Sequence, residues 1–595
     1  MSYGKLHVLP LSLFILIPVT FLITYTMSVQ WDHVVPGFPY ISETGTLSPE
    51  SCIFAQFLNI AALLLACCVY IRHRQVSQWQ FERGNDVVSK KIVVVTAWCG
   101  VLGCFGLDIL ANFQEARVVA AHMIGAMTCF TAGTIYFCLQ TYLSHKMVPA
   151  VNGRIVVYIR AALSVLTLIL TITTILPGYI SMLEFQGDDY KKWLPTDGGW
   201  AWHVASAISE WVLAIVYCVF LLTFVPEFRL INFEDPVVTV LFPYNIIFNT
   251  LWLAKPKKLL FLIYLDKDQD LKLPHKLSPQ KRARINFETR KYGNGHHLPA
   301  LKRNLLFGYS YYKLLSVDER NMDKEDFLVN LHYLPIILFI SLPSVFILTY
   351  IIAVLLGHVE AEFPYISDAA TYAPESCIFA QFINMIAMLM SFLVYIRYSQ
   401  VKECSNTFRL QHSLPKWNHW ALIFGLISTF GLSVVANFQE TSVIVVHFIG
   451  ALLCFGGGTA YFWTQAVCSF YLHPLGCSLK LAHLRAALST FCTVCFVVTL
   501  ITGVLARLAY KGTNPRKWYK EDGGWELHVA STITEWLCAA AFCVYILTFT
   551  EEFRDVKVTH PKVISTLNRT RLSNEALNES QDSAMGHNRD ATTIT

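Results

Sequence analysis

The sequence is poor in charged residues and lacks the short motifs of common enzymes. Asp, Glu, Lys and Arg make up 15% of the 595 residues, against about 25% in ordinary soluble chains. Hydrophobic residues make up 54%, and the mean hydropathy is +0.45. The sequence contains no His-Glu-x-x-His, no Gly-x-Ser-x-Gly and no phosphate-binding glycine loop. This composition argues against a soluble enzyme, a disordered chain and a nucleic-acid-binding domain, and it indicates no catalytic residue, cofactor or metal.

Cysteine is present but not in a disulfide pattern. Most of the 17 cysteines lie inside apolar runs, as Cys67, Cys129 and Cys543 do. In such runs cysteine acts as a small, polarizable packing residue. The segments between the runs that we place outside the cytosol hold almost none, which argues against a disulfide framework.

The apolar residues are concentrated in twelve runs, each close to the ~20 residues that span a bilayer as a helix. They lie near 9–29, 52–72, 92–111, 117–142, 155–180, 201–224, 332–356, 377–397, 417–436, 441–467, 484–507 and 526–549. Backbone in lipid must satisfy its own hydrogen bonds, so we interpret all twelve as transmembrane helices.

The chain contains one module twice. Five motifs recur at a constant offset of 325 positions (364 − 39): Pro39-Tyr-Ile-Ser42, Glu50-Ser-Cys-Ile-Phe-Ala-Gln-Phe57, Asn112-Phe-Gln-Glu115, Arg160-Ala-Ala-Leu-Ser164 and Asp197-Gly-Gly-Trp200. Such self-similarity is the signature of a repeat architecture. The predicted fold is an all-α membrane protein with two parallel modules of six transmembrane helices in tandem. Its predicted parts are a first module at 1–235, a linker at 236–325, a second module at 326–557 and a disordered tail at 558–595.

Lys and Arg in short loops predict the orientation. The 28–51 loop has neither, whereas Arg72, Arg74, Arg83, Lys90 and Lys91 follow the next helix. We therefore expect both chain ends in the cytosol. The linker starts with an apolar stretch, 237–254, which we interpret as an interfacial or re-entrant segment because Pro and Asn interrupt it. Residues 255–313 then carry 14 Lys or Arg against four acidic residues, a net charge of +10 (14 − 4), which would suit anionic lipid headgroups or serve only as a solvated tether.

Several ordered motifs resemble those of the damage-regulated autophagy modulator (DRAM) family, whose broader group includes the TMEM150 proteins. They are Phe38-Pro-Tyr-Ile-Ser-Glu-Thr-Gly-Thr46, Pro49-Glu-Ser51, Tyr70-Ile-Arg72 and Ala111-Asn-Phe-Gln-Glu115, with counterparts in the second copy. The resemblance implies a multipass endomembrane protein, often lysosomal, that promotes autophagy, and it supplies no catalytic residue. Family members typically carry one module, so the tandem form departs from their pattern.

Polar residues inside membrane helices are costly and are functional hypotheses by default. One hypothesis is a lumenal pH-sensing cluster, repeated in both copies, of His122, His203, Glu210, His447, His528 and Glu535. The alternative is a structural role through interhelical hydrogen bonds.

Other polar residues are expected to have structural roles. Gln56 and Asn59 share one helix face, and Arg160 is expected to extend towards the cytosolic headgroups. Asn112 and Glu115 are expected to cap helix ends, and Asp197-Gly-Gly-Trp200 to form a turn with an interfacial anchor.

Two short patterns concern targeting. Tyr312-Lys-Leu-Leu315 matches a tyrosine-based sorting address, and Asn568 and Asn578 match glycosylation acceptors that a cytosolic tail would leave unmodified. The leading functional prediction is a non-enzymatic lysosomal or other endomembrane protein that regulates autophagy with cytosolic protein partners. The alternatives are a channel, transporter or lipid-moving protein, and a plasma-membrane TMEM150-like scaffold for lipid signalling.

Overall fold

The computed structural model describes most of both modules. The described residues are 2–3, 5–83, 87–187, 189, 192–234, 238–240, 327–328, 330–408, 410, 413–474, 476–514, 516–559 and 563–565. The predicted linker and tail, with the sorting motif Tyr312 to Leu315 and both glycosylation patterns, therefore lie almost wholly outside the described residues.

Six long helices form the first module. They are Val8–Gln30 (α1), Glu50–Glu82 (α2), Lys90–Asn112 (α3), Val119–Lys146 (α4), Arg154–Glu184 (α5) and Trp200–Leu222 (α6), and Val225–Arg229 (α7) continues the sixth.

The second module repeats this order. Its helices are Tyr333–Leu355 (α8), Glu375–Phe408 (α9), Leu414–Asn437 (α10), Ile444–Ala451 (α11), Gly457–Leu472 (α12), Leu479–Ala509 (α13), Trp525–Leu547 (α14) and Thr550–Arg554 (α15). A π-helical turn, Leu452–Gly456, joins α11 to α12 into one span. Within the described ranges, 12 helices are long and apolar enough to cross a membrane, which confirms the predicted fold class.

Glycine allows α3 and α4 to pack closely. A Cβ atom on Gly106 would lie 2.4 Å from the backbone nitrogen of Cys129, and one on Gly431 would lie 2.4 Å from that of Cys454. Contacts this short between heavy atoms are not tolerated, so only glycine allows this approach. The same close crossing therefore recurs in both modules.

The ends of each helix bundle differ. One end, the loop face, carries residues 31–49, 113–118 and the described part of 185–199, with their counterparts 325 positions later. The opposite end, the strand face, carries two three-stranded sheets. Loop-face residues of the two modules contact each other, as the 2.8 Å hydrogen bond from Ser48 to Ser442 shows. The modules therefore point the same way, as predicted.

The sheets exchange strands between the modules. The first sheet has the order β1 (Ser2–Tyr3), β2 (Ile231–Glu234), β6 (Val563–Ser565), and the second has the order β3 (Val238–Val240), β5 (Val556–Thr559), β4 (Phe327–Leu328). All pairs are antiparallel. Strand β3 follows the first module but pairs with the second, and β6 follows the second but pairs with the first.

This exchange corrects two boundaries. Residues 563–565 form a strand, so the predicted disordered tail does not begin at 558, and residues 238–240 form a strand where we expected the interfacial segment to begin. A short strand gains its stability from pairing with a distant partner, which local composition does not reveal.

Candidate functional site

The predicted histidines and glutamates hold different parts of the loop face. His122 Nδ1 lies 2.8 Å from the backbone oxygen of Phe113. Glu210 is buried in α6, where its carboxylate accepts a 2.8 Å hydrogen bond from the backbone N–H of Ile41. The segment 39–46 therefore folds down onto the bundle and reaches a carboxylate that the sequence places well inside α6.

His203 lies in an aromatic enclosure. It is 1% exposed, and its ring centroid is 4.8 Å from Tyr40, 4.4 Å from Trp193 and 5.7 Å from Trp200. Trp200 is the aromatic residue of the Asp197-Gly-Gly-Trp200 motif. Gly198 and Gly199 adopt φ values of +78° and +62°, which form the turn that the motif predicts.

The acidic partners of Glu210 come from loops. Glu43, which is 7% exposed, accepts a 2.8 Å hydrogen bond from the backbone of Tyr40, and Glu115 accepts a 2.7 Å hydrogen bond from Ser42. Glu43 interacts electrostatically with both Glu115 and Glu210. We call Glu43, Glu115 and Glu210 the carboxylate cluster of the first module.

Burial decides the protonation of this cluster. Burial first, and then the negative charge of Glu115, raise the pKa of Glu43 well above its ordinary value of 4.5, although the Tyr40 N–H opposes this. The protonated form of this buried acid is therefore favoured up to a higher pH than the protonated form of an exposed glutamate. Such a group can take up a proton at a pH where an exposed glutamate would remain charged.

The second module repeats the cluster with Asp368, Glu440 and Glu535. Glu535 accepts a 2.9 Å hydrogen bond from the backbone of Ile366, and Asp368 accepts one of 3.3 Å from the backbone of Tyr365. Burial and then Glu440 raise the pKa of Asp368. The histidines recur as well. His447 Nδ1 is 2.7 Å from the oxygen of Phe438, and the ring centroid of His528 is 4.4 Å from that of Trp518.

The sequence pointed to Glu210 and Glu535 but not to their acidic neighbours. Glu43 and Asp368 occupy equivalent positions in the two copies (368 − 43 = 325). Each is the one acidic residue in an otherwise uncharged motif, and its presence in both copies could have pointed to this cluster. Glu115 was assigned to capping, but it binds a loop hydroxyl instead.

At the other end of each bundle lies a buried ion-pair network. Glu227 binds Arg72 Nη1 and Arg160 Nη1, each at 2.8 Å. Both arginines are 0% exposed, so the expectation that Arg160 extends to the headgroups is wrong. The centroid of the Phe224 ring lies 4.5 Å from the Arg160 guanidinium carbon, and the Thr223 hydroxyl accepts a further hydrogen bond from Arg160 at 2.9 Å. Glu227 neutralises one of the two buried positive charges, and hydrogen bonds together with the Phe224 ring stabilise the other.

The second module contains the same network. Glu552 binds Arg397 at 3.0 Å and Arg485 at 2.6 Å. Cys477 occupies the position equivalent to Asn152, which hydrogen-bonds Glu227 in the first module. The buried arginines therefore have a structural role. In each module the pair of arginines holds the end of α6 or α14 against its own bundle.

A ladder of side-chain amides joins the two modules near the loop face. Asn59 and Asn112 hydrogen-bond each other at 2.8 and 3.1 Å. Asn112 also donates to Gln381 at 3.3 Å, and Asn437 donates to Gln56 at 3.0 Å. Gln56 and Asn59 do share a face, as predicted, and that face meets the other module. Asn112 was expected to cap a helix, but its side chain lies in this interface.

The ladder is nearly symmetric. Gln56 donates to Ser433 at 3.2 Å, and the equivalent Gln381 donates to Asp108. The pseudo-twofold axis that relates the modules therefore passes between these pairs. Asp108 and Ser433 are equivalent positions (433 − 108 = 325), and at this point of the ladder the first module carries a carboxylate where the second carries a hydroxyl.

Metal ligation receives no support from the described portion of the chain, where no group of three or more His, Cys, Asp or Glu side chains is arranged to hold an ion. The carboxylate clusters bind backbone N–H groups and hydroxyls. What this arrangement offers chemically is proton uptake and the anchoring of loops.

Comparison with known proteins agrees with the repeat. The family described as the Frag1/DRAM/Sfk1/Cwh43P N-terminal domain matches residues 5–231 and again 330–556. DNA damage-regulated autophagy modulator protein 1 of Homo sapiens is 36% identical over 230 residues, which cover 39% of this chain and 94% of that protein. Protein 2 of the same name and organism is 34% identical over 230 residues, covering 38% and 85%.

A more distant relative has a related name. The modulator of macroautophagy TMEM150B of Danio rerio is 32% identical over 199 residues, covering 33% of this chain and 74% of its own length. No solved structure matches the chain. The two matched ranges span one module each, with the 325-residue offset of the internal repeat, and so the chain belongs to the Frag1/DRAM/Sfk1 family and carries its domain twice in tandem.

Proposed function

We propose that this protein is a non-enzymatic modulator of autophagy in a lysosomal or related endomembrane. Relatives that match a stretch of this chain about one module long are named as autophagy modulators. The observation that carries the proposal is that the domain shared with these relatives occurs in both modules. Both modules also keep the same buried clusters at both ends. Either module alone would lose the strand that the other supplies, so we infer that the tandem pair acts as one unit.

The proposed orientation places the strand face in the cytosol. Arg83, Lys90, Lys146 and Arg154 flank helix ends on that face, whereas residues 33–49 hold no Lys or Arg. Positive charge in short loops favours the cytosolic side. The carboxylate clusters would then face the lumen, and the linker would be available to cytosolic protein partners or anionic lipids.

We further propose that lumenal pH sets how tightly the loop segment 39–46 is held. The charged and titratable groups that face its cluster are Tyr40, Glu43, Glu115, Asp189, Glu210 and, one helix away, His122; in the second module they are Tyr365, Asp368, Glu440, His447, Arg516 and Glu535. The folded-state pKa of Glu43 is raised, so its contribution to stability is present at acidic pH and is lost as pH rises through that raised value. The closed loop is thus favoured in an acidic lumen.

The experiment combines localisation with autophagic flux. A tagged full chain is expressed in cells that lack it, imaged against lysosomal markers, and scored by turnover of an autophagosome marker with and without lysosomal inhibition. The wild type should co-localise with lysosomes and restore flux. Glu43→Gln together with Asp368→Asn, which keep a hydrogen-bond acceptor but cannot ionise, should reach the same membrane and lose the pH-dependent part of the response.

The control is Glu184→Gln, an exposed carboxylate at the end of α5. It should behave as the wild type. Unchanged flux with and without the wild-type chain would overturn the autophagy role. Residence at the plasma membrane would favour the TMEM150-like scaffold instead, and ion or lipid flux in reconstituted vesicles that Glu210→Gln abolishes would favour a transporter.

A further inference from the structure

A cleft separates the two modules within the membrane. The modules touch through the amide ladder at the loop-face end and through the exchanged strands at the strand face. Between these contacts lies a cleft of about 350 Å³, within the size range of small-ligand sites. Its lining comes from α2, α3, α9 and α10, and the same nine positions of each module contribute to it, so the pseudo-twofold axis runs through the cleft.

The walls of the cleft are apolar and uncovered. Leu63 is 43% exposed, Phe105 42%, Met388 43% and Phe430 50%. All four line the cleft, and all lie in helices that span the bilayer. At this depth hydrocarbon is the medium that meets such walls, so the ligand class with the right body is a lipid.

One end of the cleft is polar and carries a single acidic group. Asn59, Asn384, Ser433 and Asp108 line it. Asp108 is only partly buried, and Gln381 occupies one of its oxygens. A carboxylate has about four acceptor sites, so capacity remains for a further donor. An ionisable residue inside the membrane is a functional hypothesis by default.

The charge of the lining selects the headgroup. None of the residues that line the cleft is Lys or Arg, so a phosphate headgroup would meet Asp108 without a cation to pair with it. A primary ammonium group would complement Asp108 directly. The wall that α3 forms extends seven residues from Asp108 to Val101, which is about 10 Å at 1.5 Å per residue. A wall of this length accommodates part of one alkyl chain beside the axis.

We propose that the inter-module cleft binds a single-chain, long-chain amine lipid, with its ammonium group on Asp108 and its chain along Leu63, Phe105, Met388 and Phe430. The site exists only where the two modules meet. The carboxylate lies on one side of the axis, because its counterpart is Ser433, and this asymmetry gives the site a test that a general lipid contact would fail.

The experiment uses the purified full chain in nanodiscs with a photoreactive long-chain amine, competed by the unlabelled amine. Photoreactive sterol and photoreactive phosphatidylcholine serve as separate arms. The amine should label peptides of α2, α3, α9 and α10. Asp108→Ser, which reproduces the residue of the other module, should weaken competition about tenfold or more, as loss of a hydrogen bond to a charged group does.

The exchange variant tests the symmetry. Asp108→Ser combined with Ser433→Asp moves the carboxylate across the axis and should restore labelling, which also shows that Asp108→Ser leaves the fold intact. Ala66→Phe, which fills the cleft, should block labelling, whereas Val165→Phe on the exposed side of α5 should not.

Equal labelling by sterol or phosphatidylcholine, or full labelling of Asp108→Ser, would overturn the proposal and leave only a general lipid contact. Failure of the exchange variant to restore labelling would overturn it too. Because binding is measured on the purified chain, failure here would leave the autophagy proposal standing, and loss of the autophagy role would not alter this result.

Discussion

Removing the charge of Glu227 should destabilise the first module severely. The substitution Glu227→Gln keeps the side-chain shape but leaves Arg72 and Arg160 without a counter-ion, although both are 0% exposed and both bind Glu227 at 2.8 Å. Breaking a buried ion pair by removing one partner costs about 3–5 kcal/mol, chiefly because the remaining charge stays buried.

The expected shift is large enough to measure in detergent. For a domain of this size, each kcal/mol changes the midpoint of thermal unfolding by about 2–4 °C. Glu227→Gln should therefore lower the midpoint of the first module by roughly 6–20 °C. The assay heats solubilised full chain in steps and follows the monodisperse peak by size-exclusion chromatography.

Two further variants control this prediction. Glu551→Gln changes an exposed carboxylate of α15 and should shift the midpoint little. Glu552→Gln removes the equivalent buried partner in the second module and should cost as much as Glu227→Gln. A Glu227→Gln midpoint equal to that of Glu551→Gln would show that the arginines find other partners and would refute the reasoning.

Three more predictions follow from the loop face and the ladder. Lowering the pH from neutral towards 4.5 should stabilise the chain, because the raised pKa of Glu43 favours its protonated form, and Glu43→Gln with Asp368→Asn should flatten this pH dependence of the unfolding midpoint. Gln56→Leu should remove inter-module hydrogen bonds worth about 0.6 kcal/mol each. After cleavage at a protease site inserted in the linker, the two halves of this variant should separate at a lower denaturant concentration than those of the wild type. An unchanged concentration would contradict a role of the ladder in holding the modules together. Trp211→Phe removes the 2.9 Å hydrogen bond to the oxygen of Pro39 and should cost about 1 kcal/mol, seen as faster proteolysis of the 31–49 loop, whereas equal rates would argue against this anchor.

The candidate site was predictable only in part. Glu210 and His203 stood out because polar residues are rare inside apolar runs, and both proved to be buried at the loop face. Their partners were not predictable, since Ile41 and Tyr40 come from a loop whose path depends on the whole bundle. Arg160 was misjudged for a related reason: snorkelling is the expectation for an arginine near a helix end, and only the fold brings Glu227 within reach.

The amino-acid sequence by itself determined the local features of the chain and those that repeat along it. Runs of apolar residues specify spans because lipid requires helices. A constant offset of 325 positions specifies two copies, and the even number of six spans in each copy makes them face the same way. The tertiary structure alone decided how the copies join: β6 pairs with β2 across more than 300 positions, and Asn437 meets Gln56 at 3.0 Å. Contacts between residues so far apart depend on where two complete bundles settle against each other, and no short window of sequence contains that information.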